Sequence, residues 1–494
     1  MKEDKASYRQ IFKATSIYGG VQLFNIVVGI IKSKAAAIFI GADGMGIVGL
    51  FNSAIDLVRS ITGLGINLSA VREISKTNSE NNSIQLGGLV LTVKKLCWLT
   101  GALGMLIVIL LAPYLSQQTF GNKEYTNSFL FLSIVPLLTS LSMGQLAVLQ
   151  GLRKIEYLAK SNLYGGLCGL VFLIPFYWFL GTKGIVPFII VSAAISLCFS
   201  FYFANKLTIE KVKYTHKEVY SEGKRIISLG VMLTLSSLAV MLKGYLLRIF
   251  ILDNGGYTEV GLYSAAFLLI DTYTGLIFTA MGTDFFPRLS VINKDNRKME
   301  NLINCQVELG VLILAPLIMI FMVFAPFLLT LLYSKKFVPA TDMLQWAMLG
   351  IILKASSWPL VFSLLAKANN KIFLVTEIAS CTYALVFSIL GYKLWGFMGL
   401  GIGFSSAYVC NLLQMSIINK VLYNIKLRFS YYEIFTPQLF LCISVLVVVQ
   451  LIENPIFVYL LGGILILLSS IISYRELDKR IDIKNLLMTK LKRK

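Results

Sequence analysis

Apolar runs alternate with short polar stretches along the whole chain. A run of about 18 or more apolar residues is long enough to cross a bilayer as a helix. Such runs fall at about 12–40, 43–68, 90–115, 127–150, 158–180, 184–206, 226–252, 260–284, 303–333, 340–366, 372–395, 397–419, 433–452 and 455–474. In the third, Lys94 and Lys95 sit at the cytoplasmic mouth, because Leu96–Leu115 alone is long enough to span. The pattern predicts an all-α polytopic membrane protein of about fourteen transmembrane helices, since only helices satisfy their own backbone in lipid this way.

The pattern also repeats. GIIKSKAAAIFIGADGMGIVGLFNSAID, from Gly29 to Asp56, has an echo about 211 residues later in MLKGYLLRIFILDNGGYTEVGLYSA, from Met241 to Ala265. Lys32 falls on Lys243, and Ile38-Phe39-Ile40 on Ile249-Phe250-Ile251. A weaker echo sets LQGLRKI at Leu149–Ile155 against LAKANNKI at Leu365–Ile372. Repeats with an even number of spans keep the same direction, so the expected plan is two pseudo-symmetric six-helix lobes related by an axis along the membrane normal. The N-lobe, helices 1–6, takes 1–206. A basic cytoplasmic linker takes 207–225. The C-lobe, helices 7–12, takes 226–419. Two extra helices, 13–14, take 420–474 and have no counterpart, and a basic tail takes 475–494.

Composition agrees: 56% of the 494 residues are hydrophobic and only 14% charged. The first ten residues are polar, and the apolar run after them is too long and lacks a small-residue cleavage site, so no secretory signal is expected. The seven Cys are scattered through apolar runs without a CxxC pair and read as small core residues. With a single His, in a polar loop, no metal site is expected.

The net charge of +20 would suit nucleic acid, but its placement follows the membrane. Among the loops and tails, only Lys123, Lys183, Lys335, Lys336 and Lys393 fall on one set of alternate connections; the others crowd the opposite set. Positive residues stay on the cytoplasmic side, which predicts both termini inside and a bacterial inner-membrane location once the family resemblance below is added. The same clusters attract anionic lipid headgroups. Nucleic acid is not an expected partner. The outer connections are short, the longest near Ser116–Thr126, and leave no room for an outer folded domain.

Charges inside the runs carry the candidate chemistry. On the first span Gln22, Asn25, Gly29 and Lys32 share a stripe about 80° wide; on the second Asn52, Asp56, Arg59 and Gly63 share one of about 60°. Ser236 aligns with Lys243, Asp271 with Ser264 and Gly275, and Lys354 with Gly350 and Ser357. Such faces turn to protein or water, because an unpaired charge in hydrocarbon costs at least a few kcal/mol. The interior cations are Lys32, Lys34, Arg59, Lys243, Arg248 and Lys354; the interior carboxylates are Asp56, Asp271, Glu308 and Glu377, with Asp284 nearer an end. The surplus is positive and suits an anion such as a pyrophosphate, which Arg grips bidentately and Lys as a point charge. The expected substrate-binding cations are Lys32, Arg59, Lys243 and Lys354, with Gln22, Asn25 and Asn52 as polar lining.

Plainer readings compete. Asp56 and Arg59, three residues apart on one helix, can simply neutralise each other. Lys34 and Arg248 lie near their outer ends and can snorkel outward, the reading preferred for Arg248. The carboxylates Asp56, Asp271, Glu308 or Glu377 could instead hold a coupling H+ or Na+, and the pattern does not choose among them. Gly19-Gly20, Gly63, Gly65, Pro136, Pro316, Pro326 and Pro359 could bend helices, although Gly and Pro are common in membrane helices. No P-loop, G-x-S-x-G or HExxH occurs, so neither ATP hydrolysis nor a soluble-type enzyme is expected.

GADGMGIVGLFNSAIDLVRSITGLGI (Gly41–Ile66), AVLQGLRKIEYLAKSN (Ala147–Asn162) and the two six-helix halves resemble the polysaccharide-transport members of the multidrug/oligosaccharidyl-lipid/polysaccharide (MOP) exporter superfamily. Among these the chain is most similar to the Wzx-type O-antigen translocases. Fourteen spans instead resemble the lipid II flippases of the same superfamily. The resemblance implies a flippase that moves an undecaprenyl-pyrophosphate-linked oligosaccharide from cytoplasm to periplasm by alternating access through a cationic central cavity. It implies no cofactor beyond a coupling ion, and the polysaccharide polymerase machinery as a further partner. The runner-up is a cation-coupled multidrug exporter of the same fold, which would want an acidic, aromatic-lined cavity. Sugar recognition by scattered Asn, Gln, Ser and aromatic groups is not separable from packing at this level.

Overall fold

A computed structural model describes residues 27–79, 83–152, 154–207, 216–367 and 369–481. Gln22 and Asn25 lie outside the described residues. Every expected span from the second to the fourteenth has a helix over it. The helices are α1 (27–39), α2 (Gly41–Gly63), α3 (Ile66–Ser79), α4 (Ser83–Phe120), α5 (Thr126–Leu132), α6 (Ile134–Gly151), α7 (Ile155–Leu180) and α8 (Ile185–Ala204). Then come α9 (His216–Val291), α10 (Asn296–Val323), α11 (Ala325–Leu332), α12 (Thr341–Ala366), α13 (Asn370–Trp395), α14 (Met398–Tyr423), α15 (Phe429–Leu451) and α16 (Pro455–Ile481). No strand occurs among the described residues. Eleven helical stretches among them are long and apolar enough to cross a membrane; two of these, 156–204 and 234–279, each contain two helices joined by a tight turn or break.

Several expected spans are built differently from a plain rod. The second stops at Gly63, where Leu64 (φ 46°) and Gly65 (φ 62°) turn left-handed, and α3 starts afresh at Ile66. The fourth is interrupted at Ser133, between α5 and α6. The seventh and eighth run together as α9 and part only at Gly256, whose φ of 75° a residue with a Cβ rarely adopts. The prolines singled out above act in several ways: Pro316 and Pro359 lie within α10 and α12, and Pro326 opens α11.

The chain forms two compact units, 1–261 and 262–494. The border falls inside α9, beyond the basic stretch 207–225 at which the sequence pattern divides the lobes. The first arm of α9 counts with the first unit because it is tied there. Tyr245 and Thr119 share a hydroxyl–hydroxyl hydrogen bond of 2.8 Å, and Thr258 donates to Asp43.

In the first unit, α4 packs on α2 and α6, and α7 on α8. The α3 helix is amphipathic: Ile66, Ala70 and Ile74 bury one face against Val90, Val93 and Val148. An aromatic knot pins α2 to α4 and α5, with Phe51 centred 4.9 Å from Phe120 and 5.3 Å from Phe129, and Tyr125 stacked 4.0 Å from Phe120.

In the second unit α10 and α12 are the most enclosed, flanked by α14 and α15. The two added helices, α15 and α16, are clamped to each other by Gln438, wholly buried, which donates to Ser469 O (3.3 Å) and Ser473 Oγ (3.1 Å) and accepts from Ser469 Oγ (2.6 Å). Interhelical polar contacts in membranes contribute about 0.6 kcal/mol each and up to ~1.7. Gln438→Leu is therefore expected to lower the melting temperature of the purified protein by a few degrees; an unchanged melting curve would show that the clamp is dispensable.

Candidate functional site

The break in α2 is where the first unit opens. Helix ends leave backbone groups unpaired, and at membrane depth irregular backbone is tolerated only inside protein or beside a cavity. A cavity of about 220 Å³ lies there, bordered by Gly63, Gly65 and Ile66 at the break. Arg59 reaches it from α2, one turn before the break, and Asn67 one residue into α3. The opposite walls bring Thr100 and Cys97 from α4, Pro136, Ser140 and Met143 from α6, and Thr234, Ser237 and Met241 from α9.

Arg59 Nη2 pairs with Asp56 Oδ1 at 3.0 Å, the neutralising pair that their spacing allows, and yet Arg59 still lines the cavity. The neutralising pair does not take Arg59 out of the cavity wall. Arg248, one of the interior cations, is half-buried; its Nη1 donates to Gly244 O at 3.2 Å, and it lies within electrostatic range of Asp56, which attracts it. Asn52, the fourth member of the stripe on this helix, is exposed.

Lys32 stands on α1 against α7. An added Cβ on Gly169 would come within 2.8 Å of its Nζ, with Ser192 Oγ of α8 nearby, so the missing side chain of Gly169 makes room for the ammonium. Lys32 forms no ion pair with a described residue. Lys243, half-buried on α9, forms none either. Both belong to the first unit, whereas the repeat suggests one in each lobe.

In the second unit Lys354 lies over two rings, 5.2 Å from the Phe278 centroid and 5.8 Å from that of Tyr408, and within electrostatic range of exposed Asp271. Ring faces attract a cation. Trp358 and Phe362 extend the aromatic surface, 4.6 Å apart, with Trp358 5.4 Å from Phe278. Glu308 is elsewhere. Buried on α10, it accepts from Ser430 Oγ at 2.6 Å, while Asn304 one turn earlier receives Arg428 N and donates to Lys426 O, each at 2.9 Å. Glu308 thus anchors the start of α15. Glu377 is half-buried on α13.

The spacing rules missed Asn67, Thr100 and Ser140. Each is small, polar and uncharged, and only the folding of α3, α4 and α6 around the break brings them together.

The sequence profile of the polysaccharide biosynthesis proteins matches residues 35–342, which span the cavity and both arms of α9. The chain belongs to that family. Lipid III flippase of Escherichia coli (strain K12) is 22% identical over 396 residues, 78% of this chain and 92% of that protein. A multidrug resistance MATE family transporter in its inward-facing conformation superposes with a TM-score of 0.67 at 13% identity, over 83% of this chain and 99% of the other. The lipid II flippase MurJ, inward closed, gives 0.65 at 15% identity, over 93% and 99%. The fold is that of these transporters: all-helical, multi-pass and membrane-embedded. The relatives of this family member are flippases and transporters, not enzymes.

Proposed function

We propose that the protein is a flippase for an undecaprenyl-pyrophosphate-linked oligosaccharide, an O-antigen-type repeat unit. It works by alternating access in the bacterial inner membrane, with both termini cytoplasmic, and delivers its cargo to the periplasmic leaflet for the polymerase machinery. The observation that carries this reading is a cavity in the first unit, opened by a helix break and lined by Arg59. Lys32 and Lys243, without counter-ions among the described residues, add to the positive interior that a pyrophosphate needs. The polyprenyl tail stays in lipid.

A cation-coupled multidrug exporter finds one favourable feature, the aromatic surface of Phe278, Trp358 and Tyr408. At its centre is Lys354, which repels a cationic drug. A coupling H+ or Na+ would need a carboxylate; Asp271, within range of Lys354, and Glu377 are the candidates, since Glu308 already holds Ser430 and Asp56 holds Arg59.

The test is transfer of a labelled polyprenyl-pyrophosphate oligosaccharide between leaflets of vesicles containing the purified protein. Lys32→Ala and Lys243→Ala are expected to slow transfer at least about tenfold with normal insertion, because each removes an anion-stabilising charge from a low-dielectric site. Wild-type rates in both single variants and the double would end the anion-site reading.

A further inference from the structure

We infer that the Arg59 cavity is a carbohydrate subsite, one that takes the sugar nearest the pyrophosphate and not the pyrophosphate itself. The inference rests on the flippase reading and goes inside it. It follows from where the protons on the cavity wall point. A hydroxyl has one proton to give. Thr62 Oγ1 gives its proton to Val58 O (3.1 Å), Thr100 Oγ1 to Leu96 O (2.9 Å) and Ser140 Oγ to Cys97 O (2.9 Å). What these three side chains have left for a ligand is lone pairs, one of them taken up where Thr100 Oγ1 and Ser140 Oγ meet at 3.2 Å. Asn67 adds a fourth acceptor: its Oδ1 is buried and has no hydrogen-bond partner, while its Nδ2 faces only the Met143 sulfur at 3.9 Å.

A buried acceptor left unpaired costs about 1–3 kcal/mol, which a donor from the ligand recovers. An ionised pyrophosphate brings acceptors alone and would face lone pairs at Thr62, Asn67, Thr100 and Ser140. A sugar brings several O–H donors. Its C–H face suits the apolar remainder, Pro136 and Met143. The cavity, about 220 Å³, has room for a sugar ring. Arg59 supplies the donors at one edge, where the first phosphate emerges, and Asn67 is the specificity-determining residue beyond it.

The experiment measures thermal stabilisation of the full purified chain by two lipids, undecaprenyl pyrophosphate and the same lipid carrying one sugar. A ligand that binds the folded state raises the melting temperature by mass action. In the wild type the sugar is expected to tighten binding roughly tenfold over the sugarless lipid. That increment, read as a ratio within each variant, is expected to vanish in Asn67→Leu. Thr100→Val, which keeps shape and removes one acceptor, should reduce it and serves if the first variant does not fold. Equal binding of both lipids by the wild type, or an undiminished increment in the variants, overturns the sugar subsite while leaving the flippase. No stabilisation by either lipid overturns both.

Discussion

Arg59→Gln is expected to slow transport by roughly tenfold to a hundredfold, the range that follows from losing one charge-assisted contact of about 1.5–3 kcal/mol. The guanidinium has two duties: it lines the cavity and it pairs with Asp56 at 3.0 Å. Removing it takes the cation from the site and leaves a carboxylate in the interior without its partner. The duties separate in a double-mutant cycle with Asp56→Asn. If balancing Asp56 were the whole role, the double variant would recover wild-type transport. If Arg59 grips the substrate, the double stays slow. Arg59→Lys then keeps part of the rate, because an ammonium keeps the charge and loses the bidentate fork. Leaflet-transfer rates of the four proteins decide between the outcomes.

Gly261→Val is expected to destabilise the protein by about 2–3 kcal/mol or prevent its accumulation. An ideal Cβ at Gly261 would lie 1.9 Å from Ala42 O, and one at Gly46 would lie 2.2 Å from Tyr257 O. Both neighbours are backbone, so no side-chain rotation relieves the clash, and the two helices must part. Forcing volume into a packed contact costs about 1–3 kcal/mol even where side chains can yield. Gly275→Ala is the control, since nothing lies within 4 Å of its Cβ. Melting curves of the two variants should differ by many degrees; coincident curves would show that α2 and α9 do not need this approach. The same contact gives a physical meaning to the GADGMG segment on which the family resemblance partly rests. Gly46 is there so that one backbone can lie directly against another.

The all-α, multi-pass character and the order of the apolar helices could be read from the sequence because lipid imposes a length and forbids unpaired backbone. The surplus of interior cations was equally legible, since a charge inside an apolar run stands out against its neighbours. So was the pairing of Asp56 with Arg59, which depends only on positions three apart on one helix. The nearness of Arg248 to Asp56 was not legible, because the two lie on different helices and nothing local brings them together.

Gly63 and Gly65 were visible as possible bends, as were several other glycines and prolines. Only the three-dimensional structure picks the turn at Leu64 and Gly65 as the one that opens a cavity. Leu64 itself, in a left-handed conformation that Leu resists, gives no sequence signal at all. Asn67, Thr100 and Ser140 come from three helices, and their joint character as acceptors depends on which carbonyl each hydroxyl has already found.

Sequence alone thus determined what the bilayer selects: an all-α, multi-pass chain, its spans and the surplus of positive charge within them. Tertiary structure decided which of those charges meet, that Glu308 secures α15, and where the wall of the cavity lies. The physical reason is that hydropathy and helical periodicity are properties of one helix in its solvent. A binding site is a property of several helices at once, set by packing that no single segment encodes.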